Sequence, residues 1–273
     1  GCGLTEFSKR FPERFFDVGI AEQHALTFAG GLARNGMKPV FAVYSSFLQR
    51  GYDQVIHDLA LQGYPMTICV DRAGIVGEDG ETHQGLFDVP MFLPIPNVSV
   101  FSPATYEELR SALYRSIYTE KGISVVRYPR GGAPAEQLSF KESNADVHWY
   151  GNNDEFCVIS YGREVVACLK AIRLAKVPVA FLKLNKIFPL SEETLQRLIQ
   201  YKKILFVEEG FVNGGVGSYL GNLLLNNGFK GIYKNVGIDN LFMRAGKPEE
   251  LMKEHHLDEE SLAEIISLMG DTQ

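Results

Sequence analysis

The 273-residue chain is short of the features that mark secreted, membrane or nucleic-acid-binding proteins. It has only four cysteines, Cys2, Cys69, Cys157 and Cys168, and no two stand in a CxxC pair. That excludes the common zinc-ribbon and dithiol spacings. Cys69 and Cys157 fall in apolar, strand-like runs and read as reduced, buried thiols of a cytoplasm-like compartment. No apolar run reaches the ~20 residues that a membrane span needs. The opening Gly1-Cys2-Gly3-Leu4 has neither the basic nor the apolar region of a secretory signal. A basic excess is missing too: 27 Lys and Arg stand against 33 Asp and Glu, for a net charge of -6, so no nucleic-acid surface is expected. Low-complexity tracts are absent. The adjacent His255 and His256 have no metal-ligand constellation around them, and no metal site is expected in the chain.

What is present is a globular composition, 45% hydrophobic and 22% charged, on a chain long enough for two cores. Apolar strand-like runs at 14–20, 38–43, 66–70, 98–101 and 123–127 alternate with helical patterns at 21–34, 51–62 and 105–119. The pattern fades from 131 to 154, in a segment rich in Gly, Ala, Asn and Ser. A second alternation follows, with strands at 156–160, 179–183, 203–208 and 233–237 and helices at 163–175, 191–201, 218–226 and 258–269. The βα rhythm predicts an α/β fold of two domains with mostly parallel sheets, 1–135 and 154–273, joined by a linker at 136–153.

The chain is organised around Glu22. It falls in the first turn of the helix at 21–34, past the carboxyl end of the expected strand 14–20, where open α/β sheets bind ligands. A carboxylate there can also serve only the helix dipole. Residues 71–82 (DRAGIVGEDGET) form a glycine-punctuated loop without apolar period, a functional signature in a compact domain. Asp79 and His83 are four residues apart in and just beyond it, a spacing that permits a shared hydrogen-bonded site, while a solvated loop is the plain alternative. Arg50 and Arg130 each follow a strand at the same edge, where a guanidinium can take a phosphate bidentately. His24 and His57 read as packing histidines, with His24 close enough to Glu22 to orient it. The turn 210–217 lacks the lysine of a P-loop and the dinucleotide GxGxxG, and reads as a strand-to-helix turn.

Four blocks in order, DVGIAEQHALTFAGGLA, YSSFLQRGYDQVIHD, DRAGIVGEDGETHQGLFD and VVRYPRGG, resemble the carboxy-terminal two domains of the 1-deoxy-D-xylulose-5-phosphate synthases, thiamine-diphosphate enzymes of the transketolase superfamily. The later VEEGFVNGGVGS resembles the third domain of transketolase-like proteins generally. The resemblance implies a pyrimidine-binding domain followed by a carboxy-terminal domain. It implies that Glu22 is the carboxyl that activates thiamine diphosphate through its pyrimidine ring, and that Phe47, otherwise a core phenylalanine, packs on that ring. By the same resemblance Tyr44, Arg50 and Arg130 reach the phosphate of glyceraldehyde 3-phosphate. His83 donates a proton to the developing alkoxide, and Asp79 fixes the acceptor or the loop.

The resemblance further implies pyruvate as donor, a homodimer, a cytoplasmic enzyme and a place at the start of isoprenoid precursor synthesis, with products that also serve thiamine and pyridoxal synthesis. The superfamily holds the diphosphate and its Mg2+ in a separate amino-terminal domain with a GDG motif. This sequence offers only Glu78-Asp79-Gly80, so a fragment or separately encoded half, inactive in isolation, is expected. The other readings are a transketolase-like or 2-oxoacid dehydrogenase β-type subunit, and a non-catalytic dimerisation or regulatory module.

Overall fold

The computed structural model describes residues 2–132 and 145–271. The first sheet is built from β1 (Val40–Tyr44), β2 (Met66–Asp71), β3 (Val98–Phe101) and β4 (Ile123–Tyr128), all parallel, in the order β1-β2-β4-β3. The interiors of β2, β3 and β4 are continuously buried, as expected of parallel strands covered on both faces. Register fixes the geometry of everything beyond the sheet. Tyr44 lies opposite Asp71, and Asp71 opposite Tyr128, so three strands end on one line and the segments that follow them emerge together.

The second sheet contains β5 (Val147–Tyr150), β6 (Phe156–Tyr161), β7 (Ala180–Leu184), β9 (Lys203–Phe211) and β10 (Ile232–Ile238) in the order β10-β9-β6-β7-β5. All are parallel except β5, which pairs antiparallel with β7. β8 (Lys186–Phe188) leaves this domain and pairs antiparallel with β3, at the edge of the first sheet. The two-domain α/β fold with mostly parallel sheets is therefore the architecture observed.

Packing joins the domains closely. One buried apolar cluster runs from Leu26 and Phe92 of the first domain to Ile159, Leu182 and Phe206 of the second. Lys183, fully buried, forms an ion pair with Glu108 and is held near Asn185, while burial pulls its amine down to about 8. Arg115 reaches Asp146 at 2.6 Å and Glu120 at 2.9 Å, and Lys186 meets Glu120 at 3.0 Å.

Several sequence expectations are corrected. Residues 14–20 are not a strand. Pro12–Arg14 is a 3-10 turn, and the Asp17 carboxylate accepts the Gly19 N–H at 2.9 Å, a local turn that competes with ladder pairing. Glu22 thus does not follow a strand in sequence. Its helix, Glu22–Arg34, precedes β1 and runs back along it, which still brings its amino end to the carboxyl edge of the sheet. The expected linker 136–153 contains β5, because the backbone of Val147–Tyr150 pairs antiparallel with the edge of β7, and residues 136–144 lie outside the described residues. The helix expected at 51–62 begins earlier, at Ser45, and passes through 3-10, α and π turns to Ala60. Within it, a side chain at Gly51 would collide with Leu26. That close approach of backbone to helix carries Arg50 toward Glu22.

The turn at 210–217 joins β9 to helix Val216–Asn226, and the fully buried Glu208 caps that helix. Its carboxylate accepts from the N–H groups of Val216 at 3.0 Å and Gly217 at 2.9 Å, and from the Tyr161 hydroxyl at 2.9 Å. Burial outweighs these donors and pushes the Glu208 carboxyl up to about 7 from 4.5. A carboxyl whose folded value is raised contributes fully below about pH 4.5 and loses that contribution as pH rises through about 7. The loss is on the order of 3 kcal/mol at ~1.36 kcal/mol per unit. Glu164, buried with both oxygens unpartnered, is raised by burial in the same direction. Resistance of the wild type to urea is expected to fall as pH rises across this window, and Glu208→Gln, less stable at pH 5, to show a shallower slope. Identical slopes would remove Glu208 from the account.

Candidate active site

The site is assembled at the carboxyl edge of the first sheet. Tyr44 ends β1 and opens the turn that carries Phe47 and Arg50; Asp71 ends β2 and opens the loop with Asp79 and His83; Tyr128 ends β4 and is followed by Arg130. Glu22, the first residue of its helix, is buried at 8% exposure. Its hydrogen bonds come from Arg50 Nη1, at 3.3 Å to Oε2 and 3.5 Å to Oε1. Both are longer than the roughly 2.7–2.9 Å of a good charge-assisted bond.

From Arg50 the contacts continue without a break. The Arg50 guanidinium lies 5.7 Å from the Phe47 ring centroid, and Phe47 stacks with Tyr44 at 5.3 Å and meets the His83 ring edge-on at 5.3 Å. Arg72 lies 3.8 Å over the Tyr44 ring. It pairs with Asp71 at 2.7 Å and approaches Asp79 at 3.7 Å, and Asp79 also takes Arg130 at 2.9 Å. Burial raises the Asp71 carboxyl against the pull of Arg72. All seven residues singled out in the sequence, Glu22, Tyr44, Phe47, Arg50, Asp79, His83 and Arg130, thus belong to one connected cluster.

Particular pairings differ from expectation. Asp79 and His83 do not share a hydrogen bond: His83 Nδ1 is 3.0 Å from Thr82 Oγ1, while Asp79 serves the two arginines. Arg50 turns to Glu22, whereas Arg72 and Arg130 converge on Asp79. His24 stacks on Phe28 at 6.1 Å rather than orienting Glu22, and His57 pairs with Asp53 at 2.9 Å. Arg72 is the residue that sequence reasoning passed over. Its signal was available, since it stands just past a strand end like Arg50 and Arg130. Its backbone, at φ 60°, lies in the left-handed region that non-glycine residues rarely occupy, at a cost of about 1–3 kcal/mol. Burial also pushes the Cys69 thiol up to about 12, in keeping with an inert core residue.

The residues suit an aminopyrimidine ring. Glu22 is a buried carboxylate with two long, incomplete hydrogen bonds and capacity for a further donor. Phe47 offers an aromatic ring next to the Arg50 guanidinium that meets Glu22, and the Ser45 and Ser46 hydroxyls in the same turn are buried without partners.

Comparison with known proteins gives the family directly. Residues 1–135 match the pyrimidine-binding domain of transketolase, and residues 147–262 match the transketolase C-terminal domain. The chain belongs to the transketolase family. The second match opens at residue 147, where β5 begins. This transketolase-type chain is 40% identical over 276 residues to the 1-deoxy-D-xylulose-5-phosphate synthase of Parabacteroides distasonis, covering 97% of this chain and 43% of that protein. It is 42% identical over 283 residues to the synthase of Clostridium kluyveri, covering 99% of this chain and 45% of the relative. The chain therefore spans less than half the length of the curated relatives it matches. Among solved structures, a split-gene transketolase described as an inactive β4 tetramer superposes with a TM-score of 0.86 at 23% identity, covering 98% of this chain and 89% of that one. Transketolase from Pichia stipitis in complex with sedoheptulose 7-phosphate superposes at 0.76 with 22% identity, covering 92% and 37%. At that identity these two show the shared transketolase fold.

Proposed function

We propose that the chain is the carboxy-terminal part of a 1-deoxy-D-xylulose-5-phosphate synthase and supplies the pyrimidine and acceptor side of its active site. The observation that carries this reading is the unbroken contact path from Glu22 through Arg50, Phe47, Tyr44 and Arg72 to Asp79 and Arg130. Thiamine diphosphate, when bound, supplies the carbon nucleophile and the electron sink for decarboxylation of pyruvate. Glu22 would hold the pyrimidine and supply the carboxyl that exchanges a proton with its ring nitrogen, and Phe47 would lie against the ring. Its diphosphate and Mg2+ are assigned to the part of the relatives that this chain does not span.

Arg72 and Arg130, sharing Asp79, form the cationic pair for the phosphate of glyceraldehyde 3-phosphate, with the Tyr44 hydroxyl as a further donor. Asp79 keeps the two guanidinium groups from separating. Arg50 is assigned to the Glu22 end, where it balances that carboxylate. His83, with Nδ1 engaged by Thr82, presents Nε2 as the nitrogen that protonates the acceptor's aldehyde oxygen. The exposed apolar side chains Phe7, Phe11, Phe16 and Ile20, in the segment that precedes the Glu22 helix, support association into a homodimer, and the buried thiols favour a cytoplasmic setting. Among the described residues no helix is long and apolar enough to cross a membrane.

The test is product identity. The chain, completed with the remaining part of a curated relative, is given pyruvate and glyceraldehyde 3-phosphate with thiamine diphosphate and Mg2+. One CO2 and one 1-deoxy-D-xylulose 5-phosphate per pyruvate are expected. Two-carbon transfer between sugar phosphates without pyruvate would replace this reading with a transketolase-like subunit.

A further inference from the structure

The loop bearing Arg72, Asp79 and His83 is not held by its own domain alone. At its base Gly74 and Gly85 exchange both backbone hydrogen bonds, at 2.7 and 2.8 Å, which closes the intervening residues into a ring. Side chains of the carboxy-terminal domain then grip the first residue inside that ring. The buried Glu209 carboxylate, at the end of β9, accepts the Ile75 N–H. Arg163, after β6, donates to the Ile75 carbonyl at 2.7 Å and to Glu209 Oε2 at 2.8 Å. Ile75 therefore has its donor and its acceptor both taken by one ion pair from another domain. A side chain at Gly74, where φ is +86°, would strike the Glu209 carboxylate, so the loop approaches at backbone distance.

Further along, Gln84 accepts the Val76 N–H at 2.8 Å and donates to the Arg244 carbonyl at 3.2 Å. A second attachment to the same domain is thereby made. Neither Glu209 nor Arg163 belongs to the chain of contacts from Glu22 to Arg130. Both reach the loop at its backbone, through the N–H and the carbonyl of Ile75. A backbone clamp has a specific consequence that a packing contact lacks. It fixes the path of the chain three residues after Arg72 and four before Asp79, and so the distance between the two side chains that meet in the cluster.

We propose that Glu209 and Arg163 are positioning residues of the acceptor site, by which the carboxy-terminal domain holds the loop 72–85 in the geometry where Arg72, Asp79 and Arg130 meet. This rests on the assignment of that cluster to the phosphorylated acceptor. Weakening the clamp should then raise KM for the acceptor and leave the use of pyruvate unchanged, because Glu22 and Phe47 stand on other elements.

Two measurements test it. In the chain itself, hydrogen exchange read by mass spectrometry is expected to quicken about tenfold or more across 74–85 in Glu209→Gln, with β2 and β6 unaltered. This readout needs no cofactor and no activity, so it stands even if the assigned reaction fails. In the completed enzyme, the same substitution is expected to lower kcat/KM for glyceraldehyde 3-phosphate about tenfold, chiefly through KM, with little change in KM for pyruvate. Arg163→Lys, which keeps charge but loses the fork, should show both effects in smaller measure, and it serves where Glu209→Gln does not fold. Unchanged loop exchange overturns the proposal, as does faster exchange with acceptor KM unmoved or with pyruvate and acceptor weakened equally.

Discussion

Glu22→Gln in the completed enzyme is expected to lower kcat on the order of 10²-fold or more while leaving folding nearly intact. The amide keeps the shape of the side chain but cannot exchange a proton with a ring nitrogen. The competing view, that Glu22 serves only the dipole of helix Glu22–Arg34, predicts the opposite pattern. Loss of a dipole partner costs about 1 kcal/mol at most and should barely touch turnover. The partner lost in the structure is Arg50, whose side chain is 53% exposed, so solvent screening keeps the stability cost of breaking that pair small. Steady-state rates and urea midpoints on the same preparation separate the two. Near-normal turnover with a shifted midpoint would return Glu22 to a structural role.

Arg130→Ala should reduce kcat/KM for glyceraldehyde 3-phosphate by roughly 10- to 150-fold, the equivalent of a charge-assisted contact of about 1.5–3 kcal/mol. Part of the loss is expected in kcat, because a held phosphate positions the distant aldehyde. Addition of pyruvate should be little affected, since pyruvate carries no phosphate. Arg72→Ala should behave alike, as both guanidinium groups meet at Asp79. Arg50→Ala should differ: with its guanidinium on Glu22, its loss is expected to weaken the use of pyruvate and acceptor together. Lysine at 130 should recover part of the rate, restoring charge without the planar fork. Equal loss for both substrates on Arg130→Ala would withdraw the phosphate assignment.

Much of this was legible in the sequence because strand ends are. The runs at 66–70 and 123–127 are rich in buried aliphatic residues, and their ends place the residues that follow at one edge. The observed register, with Tyr44, Asp71 and Tyr128 in line, turns that expectation into proximity. Apart from one local turn, what escaped depended on partners distant in sequence. Residues 14–20 carry a strand's composition, yet a local Asp17–Gly19 turn decides their path. β5 and β8 are short and hold only by pairing with β7 and β3, which no local pattern announces. The arginine pairings escaped for the same reason, since which carboxylate each meets is set by the fold, and Arg72 meets Asp79 from a left-handed backbone. The grip of Arg163 and Glu209 on Ile75 spans 88 and 134 residues.

Whether Glu22 and Phe47 hold the pyrimidine of thiamine diphosphate can be seen in a crystal structure of the completed enzyme with that cofactor. A Glu22 carboxylate oxygen is expected about 3 Å from the pyrimidine ring nitrogen, within hydrogen-bond range, with the ring against Phe47. A pyrimidine bound elsewhere, with Glu22 still engaged only by Arg50, would contradict it.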